Sequence, residues 1–211
     1  VIATVEGCYA LGERGVTRLA SGATKTLERR DLSAIGEADT GLLIADAREL
    51  AHLDAALETS RSAPVGGAVS ALAARGNTLV VGYRDGHVER RRLDGDGVVE
   101  LDGAAASPVL RIVPGPADTW IAGTGSGDVS LWAGDDVRRL ERARLHGPVT
   151  DLLLVRGSLF AATQRGDGLA WDLRALERPR CELLREVRQA VPVLWRDGRA
   201  VRAASEGGAC R

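Results

Sequence analysis

The chain has no methionine, one phenylalanine, two tyrosines and three cysteines, and these scarcities exclude several kinds of protein. Cys8, Cys181 and Cys210 form no CxxC pair and no zinc-ligand spacing, and an odd number in 211 residues is a poor disulfide framework. A reducing, cytoplasmic setting is the expectation. No apolar run approaches the ~20 residues needed to span a bilayer, and no charged region followed by an apolar one opens the chain. No membrane partner is expected. The 28 basic and 29 acidic side chains cancel to a net charge of -1, so no global field recruits nucleic acid. Without a methionine, Val1 reads as the start of an excerpt, with further segments expected before Val1 and after Arg211.

What the chain does have is glycine, 26 residues of it, placed between short apolar runs. The stretch from Asp118 to Asp136 reads as one hairpin. Trp120, Ile121 and Ala122 form a buried strand, Gly123 to Gly127 supply positive-φ turn positions, and Val129, Leu131 and Trp132 return as the partner strand. The hairpin recurs. With turn glycines as markers, the steps Gly86 to Gly127, Gly127 to Gly166 and Gly166 to Gly207 each span about 40 residues, and Gly7 to Gly86 covers two such periods. The missing marker falls at Ala47 to Glu49, within GLLIADARELAHLDA.

Each period also holds an apolar run before the hairpin: Ala68 to Arg75, Pro108 to Pro114, Val149 to Arg156 and Val191 to Arg196. These read as innermost strands buried on both faces. Charged runs follow the hairpins at Val98 to Leu101, Val137 to Arg144 and Cys181 to Val187, and suit outer edge strands that resist edge-to-edge pairing. The expected fold is an all-β propeller of four-stranded antiparallel blades forming one domain over residues 1–211. The blades fall at 31–64, 65–104, 105–145 and 146–188, with partial blades at 1–30 and 189–211. Val1 to Thr4 is placed as a second strand, so the first and last blades are incomplete and at least six blade positions are represented.

This period is that of a four-stranded propeller blade, and individual residues resemble the WD40 family. HGPVTDLLLVRGSLFAATQRGDGLAWDLRA, from His146 to Ala175, has a leading His, a Val-x-x-Leu strand and a Trp171-Asp172 dipeptide. Asp85-Gly86-His87-Val88 supplies the turn of the third unit, and Leu131-Trp132 ends the third strand of the fourth. In that family a His, a strand Ser or Thr, a turn Asp and the Trp share a buried hydrogen-bonded network. The match is degenerate: Arg91 stands where the Trp belongs in the third unit, and Ser126 and Arg165 stand at the Asp position in the next two. The resemblance implies structural roles for His146, Trp132, Trp171, Asp172, Asp85 and Gly86. Lys25 is the only lysine among many arginines, which fits a GC-rich bacterial genome.

Motifs for chemistry are weak. GTGSG at Gly123 to Gly127 has no following Lys-Ser/Thr and opens no helix, so it reads as a turn. Asp94-Gly95-Asp96-Gly97 lacks the third oxygen ligand and distant Glu of a calcium loop. His52, His87 and His146 lie in different units without metal-ligand spacing, and Ser60, Ser126 and Ser205 lack a nucleophile-elbow context. No cofactor, metal or catalytic residue is expected. Arg90, Arg91 and Arg92 form the only basic run, which could meet phosphate or an acidic peptide, although Glu89 and Asp94 interleave with it. Trp195 and Arg196 could lie near a surface. The expected function is a protein-binding scaffold or sensor propeller, serving a partner or an attached effector such as an NTPase, kinase or caspase-like protease. A propeller hydrolase or lyase, or a purely architectural subunit, are the alternatives.

Overall fold

The computed structural model describes residues 2–4, 7–13, 15–20, 23–29, 31–39, 41–93, 97–101, 106–134, 138–191 and 193–202. The chain is all-β, built from consecutive antiparallel sheets in which neighbouring strands follow one another in sequence. The first sheet holds β1 (Ile2–Thr4), β2 (Gly7–Gly12), β3 (Gly15–Ala20) and β4 (Ala23–Glu28). The second holds β5 (Ala34–Glu37), β6 (Leu42–Ala45), β7 (Glu49–Leu53) and β8 (Thr59–Pro64). The third holds β9 (Val69–Arg75), β10 (Thr78–Tyr83), β11 (Val88–Arg92) and β12 (Val98–Glu100). One parallel bridge, Glu37 opposite Ala73, joins the second and third into an eight-stranded sheet through their first strands.

The fourth sheet comprises β13 (Val109–Pro114), β14 (Thr119–Thr124), β15 (Asp128–Ala133) and β16 (Arg139–Arg144). The fifth has three strands, β17 (Val149–Val155), β18 (Ser158–Thr163) and β19 (Gly168–Asp172). A 3-10 turn (Arg174–Glu177) and helix α1 (Arg180–Ala190) lead to the hairpin β20 (Val193–Arg196) and β21 (Arg199–Arg202). The first strands of consecutive sheets lie side by side, β1 by β5, β5 by β9, β9 by β13 and β13 by β17.

Strand alternation buries both faces of the inner sheets. Leu42 and Ile44 meet Tyr9 and Val16 of the first sheet, while Leu43 and Ala45 meet Val69, Leu72 and Val81 of the third. Val80 and Val88 then meet Val109, Trp120 and Trp132, and Ile121 and Leu131 meet Val149 and Leu159. Four apolar layers thus fill the four gaps between five sheets. Two gaps are narrowed by a repeated contact. A Cβ on Gly82 would lie 2.5 Å from Val109 Cγ1, and one on Gly123 would lie 2.5 Å from Val149 Cγ1. Polar links cross the first of these gaps: Ser70 Oγ donates to the Val109 carbonyl at 2.7 Å, and Arg75 reaches Asp118 at 2.7 Å while its guanidinium lies over the Trp120 ring.

Several expectations need correction. Ile2–Thr4 is the first strand of a four-stranded sheet, not a second strand, and Gly7 opens β2 instead of lying in a turn. The first sheet is therefore not partial. Gly207 lies outside the described residues. Of Gly123 to Gly127, only Gly127 has a positive φ (90°), while Gly123 sits within β14 and is there for close packing. Cys181 to Val187 belongs to α1, not to an edge strand. The run after Pro179 is rich in Glu, Leu and Arg, which favour helix, and Arg178 pairs with Glu182 and Glu186. Cys181 is disulfide-bonded and Cys8 is a free, exposed thiol, which departs from the expectation of a reducing setting. Among the described residues, no helix is long and apolar enough to cross a membrane.

Candidate functional site

A groove opens between the outer strands of the second and third sheets. Face-to-face packing through Leu50 and Leu79 closes the inner part of this gap, and further out the side chains become polar. His52 on β7, Ser60 and Arg61 on β8, Asn77 in the β9–β10 turn and Leu93 beyond β11 line a groove of about 360 Å³, with Asp39 at one end. A smaller recess shares His52, Arg61 and Leu93 and continues the groove past Ser62, Arg91 and Arg92.

The polar groups in the groove are not equivalent. His52 Nδ1 lies 2.6 Å from Ser60 Oγ, but that hydroxyl also faces the carbonyl of His52 at 3.1 Å, so the pair closes on itself across β7 and β8. Asp39 Oδ2 accepts the Gly76 N–H at 2.5 Å. Arg61 is exposed and makes no side-chain hydrogen bond or ion pair among the described residues. Its guanidinium is the cation in the groove open to an incoming anion.

Arg91, at the border of the smaller recess, belongs to a tightly bonded cluster. Tyr83 donates its hydroxyl to buried Glu89. Arg91 Nε donates to the same Glu89 oxygen at 2.5 Å, and Arg91 Nη1 reaches the Pro64 carbonyl at 2.5 Å, tying the third sheet to the second. His87 faces Glu89 at 3.7 Å and Glu100 at 3.2 Å. Burial, then the hydrogen bond to Glu89, pushes the Tyr83 phenol well above its ordinary range.

The arginine run is divided by strand alternation. Arg91 stands opposite Leu79, while Arg90 and Arg92 stand opposite Val80 and Thr78 at positions of the other parity, although Arg92 also borders the smaller recess. Arg91 is committed to Glu89 and Pro64, so the run is not one flat patch. Trp195 lies on β20, far from this groove in the chain order of sheets, and is 76% exposed. Arg196 is also on β20, and its side chain lies outside the described ones.

The residues that carry the WD40 resemblance are also placed. His146 directs both its backbone N–H (2.9 Å) and Nδ1 (2.8 Å) to Asp167 Oδ2. The acid of this turn is therefore Asp167, two residues beyond Arg165. The same turn geometry recurs one period earlier, where Thr124 Oγ1 accepts the Asp128 N–H as Thr163 Oγ1 accepts that of Asp167. Asp128, with its side chain 3% exposed, takes two bonds from Arg142 (2.9 and 2.7 Å) and one from Ser126 (2.7 Å). Burial alone would raise its carboxyl pKa, but the Ser126 and Arg142 bonds outweigh this and hold it below the usual range. Asp167 is lowered too, by the backbone and then the ring of His146. Trp132 is buried, and Trp171 packs against the layer holding Ile121 and Leu159. Asp172 is held down to about 2 by the side chain and then the backbone N–H of Arg174. Asp85 caps the turn at the His87 N–H (3.0 Å), with Gly86 at φ 94°.

Sequence reasoning did not find the groove. Its residues come from β7, β8, the β9–β10 turn and the end of β11, and only the stacking of two sheets brings them together. The Thr–Asp turn pairs did have a signal, the matched TGSGD and TQRGD at Thr124 and Thr163.

No family model matches the chain, and no curated protein matches it. Among solved structures it is similar to the computationally designed Ika4 protein, with a TM-score of 0.57 and 18% identity over 67% of this chain and 91% of that one. It is also similar to the computationally designed Ika8 protein, with a TM-score of 0.63 and 16% identity over 76% of this chain. The match spans 53% of the Ika8 chain. These likenesses concern the fold alone. No group of three or more potential metal ligands occurs among the described residues.

Proposed function

We propose that the chain is a WD40-like propeller segment that works as a protein-binding module in a scaffold or sensor, holding an acidic segment of its partner in the groove between the second and third sheets. The observation that carries this reading is the untethered Arg61 in a groove of about 360 Å³ that also presents His52 and Asn77. Asp39, the acid at its end, already accepts the Gly76 N–H. A groove of this size suits one or two side chains of an extended segment. Arginine presents a planar fork to a carboxylate. Arg91, which borders the recess that continues the groove, is already held by Glu89 and the Pro64 carbonyl, so that side of the surface is ordered before binding and less entropy is lost there.

The test is fluorescence anisotropy with a labelled peptide of alternating Glu and Leu. Binding that weakens with salt and falls about fivefold in Arg61→Ala, as an exposed to half-desolvated ion pair worth ~1 kcal/mol requires, supports the reading. No binding, or affinity unchanged in Arg61→Ala, removes it.

A further inference from the structure

The five sheets follow one packing rule until the last. In each sheet, a residue of the second strand that faces onward in the chain is hidden by the next sheet: Leu43 is 0% exposed, Val80 1% and Ile121 0%. Each pairs with a residue of the first strand, Leu43 with Gly36, Val80 with Ala73 and Ile121 with Val113. The corresponding pair in the fifth sheet is Phe160 with Leu153. These two are 48% and 59% exposed.

The hairpin that comes next has the opposite face bare. Arg156 and Gly157, at the β17–β18 turn, have φ values of 49° and 73°, and Asp197 and Gly198, at the β20–β21 turn one period later, have 50° and 74°. Both are two-residue turns with positive φ at each central position. Superposing the turns places Val193 and Trp195 at the positions of Leu152 and Leu154, and the pairing agrees, since Leu154 stands opposite Leu159 and Trp195 opposite Ala200. Leu152 and Leu154 face backward and pack into the layer shared with the fourth sheet. Val193 and Trp195 are 44% and 76% exposed. The two bare surfaces are thus the repeat equivalents of the two sides of the buried interface between the fourth and fifth sheets.

We propose that the outer face of the fifth sheet is the seat of the unit that β20 and β21 begin, and that the hairpin closes onto it through Val193 and Trp195. The occupant is fixed by this match. Among the described side chains, the open face of the first sheet, which a second copy would have to present in head-to-tail contact, instead carries exposed Cys8 and the Thr17–Thr26 pair, with Leu19 the one large apolar residue. The connecting residues from Leu173 to Val191 provide the hinge length for closure.

The experiment uses the whole chain and isolates Trp195 emission as the difference between wild type and Trp195→Phe. Closure predicts a blue-shifted difference spectrum that acrylamide quenches poorly at every protein concentration. Quenching should then rise several-fold in Phe160→Asp, and independently in Leu153→Asp. If Trp195 quenches as freely in the wild type as free tryptophan, the proposal is overturned, and this result needs neither variant to fold. Shielding that disappears on dilution also overturns it, by assigning the face to a second copy.

Discussion

Replacing Gly123 by alanine tests the stacked-sheet packing at a close contact between two sheets. The new Cβ would stand 2.5 Å from Val149 Cγ1 and 2.8 Å from Val149 Cβ, closer than carbon atoms pack, and Val149 lies on a first strand held beside β13. In an unstrained site, Gly→Ala stabilises by ~0.4–1 kcal/mol through the unfolded chain. Gly123 has no positive φ, so this gain is available. Overpacking of a close-packed interior costs ~1–3 kcal/mol. The net expectation is a loss of ~1–2 kcal/mol, because the steric term exceeds the entropic one. Val149→Ala alone removes two buried methyl groups and costs ~2 kcal/mol. In the double variant the smaller side chain admits the new methyl, so its loss should fall short of the sum by ~1 kcal/mol or more. Urea unfolding followed by tryptophan emission measures all three, since Trp120 and Trp132 are buried reporters. A Gly123→Ala protein as stable as wild type, or strictly additive effects, would refute the proposed contact.

Other expected outcomes are independent of this one. Asp128→Asn should destabilise by ~2 kcal/mol, since a buried carboxylate bonded to Arg142 and Ser126 loses its charge; urea midpoints read this directly. The folded pKa of Asp128 is depressed, so its stabilising contribution is complete above the unfolded value near ~4 and disappears as pH falls through the lower folded value. The acid limb of the stability profile should flatten in the Asn variant, and an unchanged limb would contradict this. Tyr83 runs the other way: its folded pKa is raised, so its contribution holds below ~10 and is lost as pH rises through the folded value, a loss that Tyr83→Phe should abolish in alkaline unfolding. Gly82→Ala should reproduce the Gly123 defect at the gap one sheet earlier, with Val109→Ala as its suppressor.

The sequence was most legible where alternation and turn chemistry agreed. In β14 and β15 short apolar runs flank a glycine-rich turn, and both strands formed where expected. Strands β9, β13 and β17 and the charged edge strands β12 and β16 also formed where expected, but β17 and β20 are not buried on both faces as inner strands were expected to be, with Leu153, Val155, Val193 and Trp195 exposed. Glycine misled where it served packing instead of turning. Gly123 answers to Val149, and Gly7, read as a turn marker, opens β2. The helix at Arg180–Ala190 was missed because the repeat suggested an outer strand there, although Leu, Glu and Arg after a proline favour helix locally. His146 was expected in a structural role in a unit lacking the turn acid, because Arg165 was read at the acid's position; the acid is Asp167, two residues further on.

The groove was illegible for a different reason. Arg61, His52, Asn77 and Asp39 share no spacing, and their juxtaposition depends on how two sheets stack. The arginine run at 90–92 was conspicuous in sequence, yet alternation and the Glu89 contact leave its members in unlike surroundings.

The most direct test of the binding role is to locate an acidic peptide on the protein. A Glu- and Leu-containing peptide with a photo-reactive residue at its centre would be cross-linked to the whole chain and the adducts mapped by mass spectrometry. Adducts concentrated in 52–63 and 76–77, suppressed by free peptide and reduced in Arg61→Ala, are the expected result. Adducts spread over the surface, or concentrated on the bare face at Leu153 and Phe160, would contradict the assignment of the groove as the binding site.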